Sequence, residues 1–220
     1  AIRSRRSGKL PSHENIAEVA FRLKASEELN GRVQTLSAVV HQMAPVWDGS
    51  AWSAPQRVRH PAWIYLDAIR GAHLRRPVSD DRIDLAAFKA WADEEPHWTC
   101  DHVIETEQRL AEVLDLIAAT GRAKRALTDL RYSVIRDKAA GPIRQVFTPR
   151  NSWGFRGEVT FPREIHGFRV QVTSERLDWE RDEIRVFRAP YDETTATAYE
   201  TLDLPGVVIT AAEADQGNAW

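Results

Sequence analysis

The chain has 220 residues, 43% of them hydrophobic and 28% charged, with a formal net charge of −2. That balance supports a real core and excludes disordered and fibrous classes, and it supplies no bulk electrostatic pull toward nucleic acid or an anionic membrane. A single cysteine, Cys100, excludes an internal disulfide framework, and no apolar run approaches the roughly 18 residues that a membrane span needs.

At this length one large or two small domains are expected, since domains most often run to roughly 100–150 residues. Residues 1–14 form a polar basic arm carrying Arg3, Arg5, Arg6 and Lys9, with no apolar segment of the signal-peptide kind. The arm reads either as a nucleic-acid contact or as a connection to an earlier domain. The second reading is preferred, because four charges without interleaved aromatics make a weak electrostatic footprint. Mobility is expected there, and both ends are expected to be cut from a longer protein.

From Ile16 to Ala25 the alternation of Val19, Phe21 and Leu23 with Ala20, Arg22 and Lys24 predicts a strand. Asn30-Gly31 suits a tight reversal, and Leu36 to Met43 is a second apolar run. Val46 to Trp52 reads as a hairpin tip with Asp48-Gly49 in the turn and a Trp on each side. Such a pair either stacks on sugars or simply stabilises the hairpin, and the structural reading is preferred.

The period then changes. Pro61 opens a predicted helix with Trp63, Leu66 and Ile69 on its apolar side and Gly71 at its end. Asp84 is placed to cap a second, with Leu85, Phe88 and Trp91 spaced three apart before Pro96. A third is expected from a Thr106 cap, with Leu110, Val113, Leu114 and Ile117 as its stripe and Gly121 as a left-handed terminator. Leu114 and Ile117 are expected to bury against Leu85, Phe88 and Trp91.

Strands return after residue 130. Arg131–Arg136, Ile143–Thr148, Phe155–Phe161 and Phe168–Thr173 are rich in β-branched and aromatic residues between Gly, Pro and Asn clusters. Phe168, Val170 and Val172 alternate with Arg169 and Gln171, which predicts a half-buried antiparallel sheet. Phe155–Phe161 is expected to pair with Phe168–Thr173 through PREIHG, leaving Glu183–Arg188 as an outer strand.

The ordered phrases YSVIRD, VFTPRNSWGFRGEVTFPREIHGFRVQV, DEIRVF and TATAYETLDLPGV, preceded by LNG at Leu29, PVWDGSAW at Pro45 and RPVSDDRIDL at Arg76, span nearly all of the chain after about residue 15. In these phrases the chain resembles the central region of tail-tip attachment proteins of non-contractile phage tails, the host-specificity protein J family. It departs from the family between Gly121 and Val134, where Leu127 and Leu130 replace a more polar turn and leave the start of the strand near Arg131 open. None of the phrases is a catalytic signature.

Residues able to do chemistry do not fall into a recognised pattern. His97, Cys100, Asp101 and His102, with Glu105 and Glu107 behind them, are the densest group, but the second ligand pair of a structural zinc site is missing. Cys100 and His102 lack the third, orienting group that a nucleophile pair needs. The carboxylate pairs Asp80-Asp81, Glu94-Glu95 and Asp182-Glu183 read as solvated caps rather than as a glycosidase pair. Gly154-Phe155-Arg156-Gly157 is too poor in glycine to cradle a phosphate. Arginines throughout the β region alternate with acids. This mixture argues against a duplex-binding surface and suits solvated sheet faces and a subunit interface equally.

The expectation is therefore an α+β protein, with antiparallel β units of a tail-hub type and a small helical insertion. Residues 15–60 and 122–150 would form a first β unit, 61–121 the insertion, and 151–220 a second β unit. No catalytic, cofactor or metal site is expected. The resemblance implies a structural part of a phage tail tip, made in the bacterial host cytoplasm and housed in the virion. It would complete the tail tube as a homotrimer, contact other tail proteins and support host-receptor recognition indirectly, with no sequence-specific nucleic-acid binding and no membrane span. The alternative, prompted by eight Trp residues and the paired acids, is a carbohydrate-binding or cell-wall-degrading module.

Overall fold

The computed structural model describes residues 38–104, 106–139, 145–154, 156–159, 161 and 164–209. The expected strand at 16–25, the reversal at Asn30-Gly31, the basic arm and the last residues lie outside them. The fold is α+β. Of the apolar run 36–43, the described part is 38–43, and within it only Met43 enters a strand, the two-residue β1 (Met43–Ala44), which pairs with β2 (Gln56–Arg57). The hairpin between them is the expected one. Trp47 and Trp52 face each other across it, and the Asp48 carboxylate accepts from the N–H groups of Ser50 and Ala51 while Gly49 takes a positive φ of 112°.

Helix α1 (Pro61–Arg70) begins and ends where Pro61 and Gly71 predict. The ring of His60 supplies its cap: Nδ1 accepts from the Ala62 N–H at 3.1 Å and Nε2 lies 3.0 Å from the Glu95 carbonyl. Helix α2 (Leu85–Glu94) is capped by Asp84, whose carboxylate accepts from the Ala87 N–H. Helix α3 (Leu110–Thr120) starts later than expected, after Arg109, and Thr106 is not its cap. Residues 106–109 carry nothing apolar to bury, so an extra turn there would gain no packing. Leu110, placed in the stripe by its spacing, is exposed.

Gly121 follows α3 for a different reason than expected. Its φ is −113°, and the left-handed residue is Arg122. A Cβ on Gly121 would lie 2.5 Å from the Trp91 ring and 2.7 Å from Pro61, and the Gly121 carbonyl accepts from Trp91 Nε1 at 3.1 Å. Glycine is needed there for close approach.

The three helices share one core. Trp63, Tyr65, Leu66 and Ile69 of α1 meet Phe88 and Trp91 of α2 and Val113, Leu114, Ile117 and Ala118 of α3. Leu114 and Ile117 are buried as expected, but the principal packing partner of α3 is α1 rather than the α2 face. The same core takes in Ala44 and Val58 beside the first hairpin, Ala123, and half-buried Tyr132 and Val134.

Strand β4 (Arg131–Arg136) has the expected bounds. Its partner β3 (Ala123–Thr128) was not expected: the two form an antiparallel hairpin across Asp129 and Leu130, both left-handed with φ of 50° and 62°. The hairpin is tied to α2 through Asp84, whose N–H donates to the Tyr132 carbonyl and whose carboxylate accepts from the Ser133 hydroxyl.

The third sheet corrects two expectations. Strands β5 (Gly167–Ser174), β6 (Glu180–Phe187) and β7 (Tyr199–Ile209) are ordered β6-β5-β7, with β6 antiparallel and β7 parallel to β5. The sheet is mixed rather than antiparallel because the chain crosses from β6 to the far side of β5. The expected pairing of 155–161 with 168–173 is not formed among the described residues. Residues 145–148, 156–159 and 161 lie in no strand, and both edges of β5 are already occupied. β6 is an outer strand, as expected. Val170, Val172, Val207 and Ile209 form a second, smaller core under this sheet, flanked by Ile184, Val186 and Leu204.

The two cores meet at a bulge in β7, between the residues that pair with Gln171 and Thr173. There the sheet touches α3.

Candidate functional site

Among the described residues, the groups singled out in the sequence are engaged with separate neighbours rather than brought together. Cys100 is buried, its N–H donates to the Arg59 carbonyl, and burial pushes its thiol up to about 11. The Asp101 carboxylate is gripped by Arg59, with Nη2 at 2.6 Å and Nε at 3.1 Å, and the same guanidinium lies 3.7 Å from Glu175. His97 is exposed, its ring tilted against that of Trp98 with centroids 4.6 Å apart, while His102 is exposed with its Cβ toward Gly206. Among the described residues no three His, Cys, Asp or Glu side chains are grouped to hold a metal. Glu105 lies outside them.

The paired acids are divided among partners. Asp80 accepts from Arg70 Nε at 2.6 Å and from Trp52 Nε1 at 2.8 Å. Glu94 bridges Arg136 and Lys138, whose hydrogen bonds hold its carboxyl below the ordinary value. Asp182 lies 3.9 Å from Arg176, and Glu183 accepts from Gln171. Trp52 is covered by the Arg70 guanidinium at 3.8 Å and sits 5.4 Å from Trp47, so this pair braces the hairpin against the core.

Several β-region arginines have ion-pair partners within the chain: Arg136 with Glu94, Arg181 with Asp203 and Arg185 with Glu193. Arg169 lies over the Tyr199 ring. Near the start of β7, Asp192 accepts from the hydroxyls and N–H groups of Thr194 and Thr195, which hold its carboxyl down to about 2. The neighbouring His166 and Tyr191 rings stack at 3.9 Å.

What remains is a surface. Between β4 and β5 lies an arm, described at 145–154, 156–159 and 161, on which Val146, Phe147, Trp153, Val159 and Phe161 are exposed, Trp153 at 93% and Phe161 at 94%. Its turn is built locally. Asn151 Oδ1 accepts from the Thr148 N–H at 2.6 Å, Asn151 Nδ2 donates to the Val146 carbonyl, and Gly154 takes a φ of 71°. The turn closes on its own side chain and leaves the aromatics beside it exposed. The β3–β4 hairpin adds Leu127, Leu130 and Ile135, also exposed. Sequence reasoning located the arm's residues but assigned them to a sheet; the signal that sets them apart is that β5 has no edge left for them.

The sequence matches no protein-family model and no curated protein. Among the described residues no helix is long and apolar enough to cross a membrane.

Proposed function

We propose that the chain is a structural component of a phage tail tip, a hub part that assembles with copies of itself and with other tail proteins to complete the tail tube and support attachment to the host. Two things support the reading: the resemblance of the ordered phrases to the tail-tip attachment family, and the exposed apolar side chains of the arm at 145–154, 156–159 and 161. The arm is the observation that carries it. A chain that functioned alone would leave Phe147, Trp153, Val159 and Phe161 in water, where each large side chain forgoes about 1.5–3 kcal/mol of burial. In an assembly those side chains become the contact. Asp80, Glu94 and Asp101 are meanwhile engaged in ion pairs, His60 in a helix cap and Cys100 in packing, which suits a scaffold.

The test is location. Antibody raised against the chain, applied to virions from the producing cells and viewed by immunogold electron microscopy, is expected to label the tail tip. Label on the capsid, or its absence from particles altogether, would overturn the proposal.

A further inference from the structure

We infer that the tip of the β3–β4 hairpin in one copy docks against the tip of the β5–β6 connection in a second copy. This rests on the reading of the chain as a self-assembling hub part and names two surfaces that meet.

The two tips are built alike. Each contains an aspartate followed by a large apolar residue, Asp129-Leu130 in one and Asp178-Trp179 in the other, and all four residues are left-handed, with φ of 50°, 62°, 53° and 68°. Left-handed positions usually go to glycine, because a Cβ crowds the backbone there, and a bulky residue in one is an outlier. Leu130 is nevertheless 76% exposed and Trp179 41%, with Leu127 and Leu177 exposed beside them. Within one copy, little packing offsets the unfavoured backbone of Leu130. A backbone strained so as to hold apolar side chains outward is compensated where a second surface covers them.

The charges left over at the two tips are opposite in sign. From Ala123 to Arg136 the hairpin carries four cations and one acid, Asp129. Arg125 is held by Asp115 and Arg136 by Glu94, which leaves Lys124 and Arg131 exposed and with no ion pair among the described residues. Lys124 is the cross-strand partner of Ile135 and Arg131 that of Thr128, so both cations share one face of the hairpin with exposed Ile135. From Ser174 to Glu180 the other tip carries three acids and one arginine. Glu175 lies 3.7 Å from Arg59 and Arg176 lies 3.9 Å from Asp182, which leaves Asp178 and Glu180 exposed and with no ion pair among the described residues. A basic apolar tip therefore meets an acidic apolar one, the apolar side chains supplying buried area and the charges fixing partner and orientation. The two surfaces are different patches of one chain, so each copy offers one of each. A contact of this kind is heterologous and closes into a ring when the rotation permits.

Charge exchange tests the pairing. Lys124→Glu with Arg131→Glu, and separately Asp178→Lys with Glu180→Lys, should each weaken self-association about tenfold or more by sedimentation velocity, as opposed charges at an interface become like charges. Mixed in equal amounts, the two variant chains should associate again, because each contact between unlike chains then joins opposite charges. Leu130→Gly gives a measurement apart from charge. Glycine suits the left-handed position, so the melting temperature should hold or rise while association still weakens, which separates a lost contact from a lost fold. Association indifferent to the swaps, mixed chains that stay apart, or a wild-type chain that is monomeric throughout would each overturn the pairing. Tail-tip label combined with swap-indifferent association would overturn this pairing and leave the hub reading standing. Mixed-chain recovery without tail-tip label would do the reverse.

Discussion

The carbonyl of Gly206 accepts a hydrogen bond of 2.9 Å from the N–H of Asp101, joining the bulge of β7 to the loop before α3. Gly206 has a φ of 88°, and a Cβ there would sit 3.0 Å from His102 Cβ, with Thr120 and Leu116 just beyond. Position and conformation both require glycine. Gly206→Ala is therefore expected to cost about 1–3 kcal/mol through backbone strain and to raise the hydrogen-exchange rate of the Asp101 amide. An unchanged amide would show that the bulge is not the joint between the two cores.

The helical core makes a simpler claim. Leu114 is 3% exposed among α1 side chains, and Leu114→Ala should cost about 2–5 kcal/mol in urea unfolding, as cavity-forming truncations do. A loss below about half a kcal/mol would be that of a surface change.

His60 gives the fold a pH dependence. Its Nδ1 accepts from a backbone N–H and its Nε2 faces a carbonyl, so the ring is neutral with its proton on Nε2. Burial lowers its pKa from the ordinary 6.5. A lowered histidine pKa means that the unfolded chain takes the proton first, so this contribution is complete above about pH 6.5 and is lost as pH falls through that value toward the folded pKa. Thermal unfolding between pH 7.5 and 5 should show the decline, and His60→Asn, which keeps a side-chain oxygen for the cap, should flatten it. A wild-type slope that survives in the variant would move the effect to another group.

No stoichiometric zinc is expected. Binding through Cys100 would require deprotonating a thiol that burial has already pushed up to about 11, with its histidine neighbours facing elsewhere. Metal analysis of untagged protein, and a melting temperature unaffected by a chelator, check it.

The helices were legible because their signals are local. Pro61 and Gly71 bound α1, and Asp84 caps α2, as their chemistry requires. The histidine cap of α1 was not legible, since it depends on Glu95 placing its carbonyl against the same ring. β3 was missed because AKRALT has helical composition, and it is strand only through pairing with β4. The reverse holds at 145–161. Those residues have β composition and, where described, no strand partner among the described residues, so propensity alone placed strands where the described residues have none. The parallel pairing of β5 with β7 depends on residues more than thirty apart, beyond the reach of any local pattern. At the candidate surface, the aromatics of the arm were visible in the sequence, but their exposure was a property of the sheet they could not join.

That parallel pairing also sets an order of events during synthesis. The hairpin of β5 and β6 is complete once Phe187 has emerged, yet Val170 and Val172 must wait for Val207 and Ile209 to cover them. Long-range pairing of this kind is slow to form and leaves apolar surface open meanwhile. A ribosome-bound chain ending before Val207 would hold a finished helical core beside an unsealed sheet, and the arrival of the β7 bulge would close the smaller core and fasten it to the larger one in a single late step.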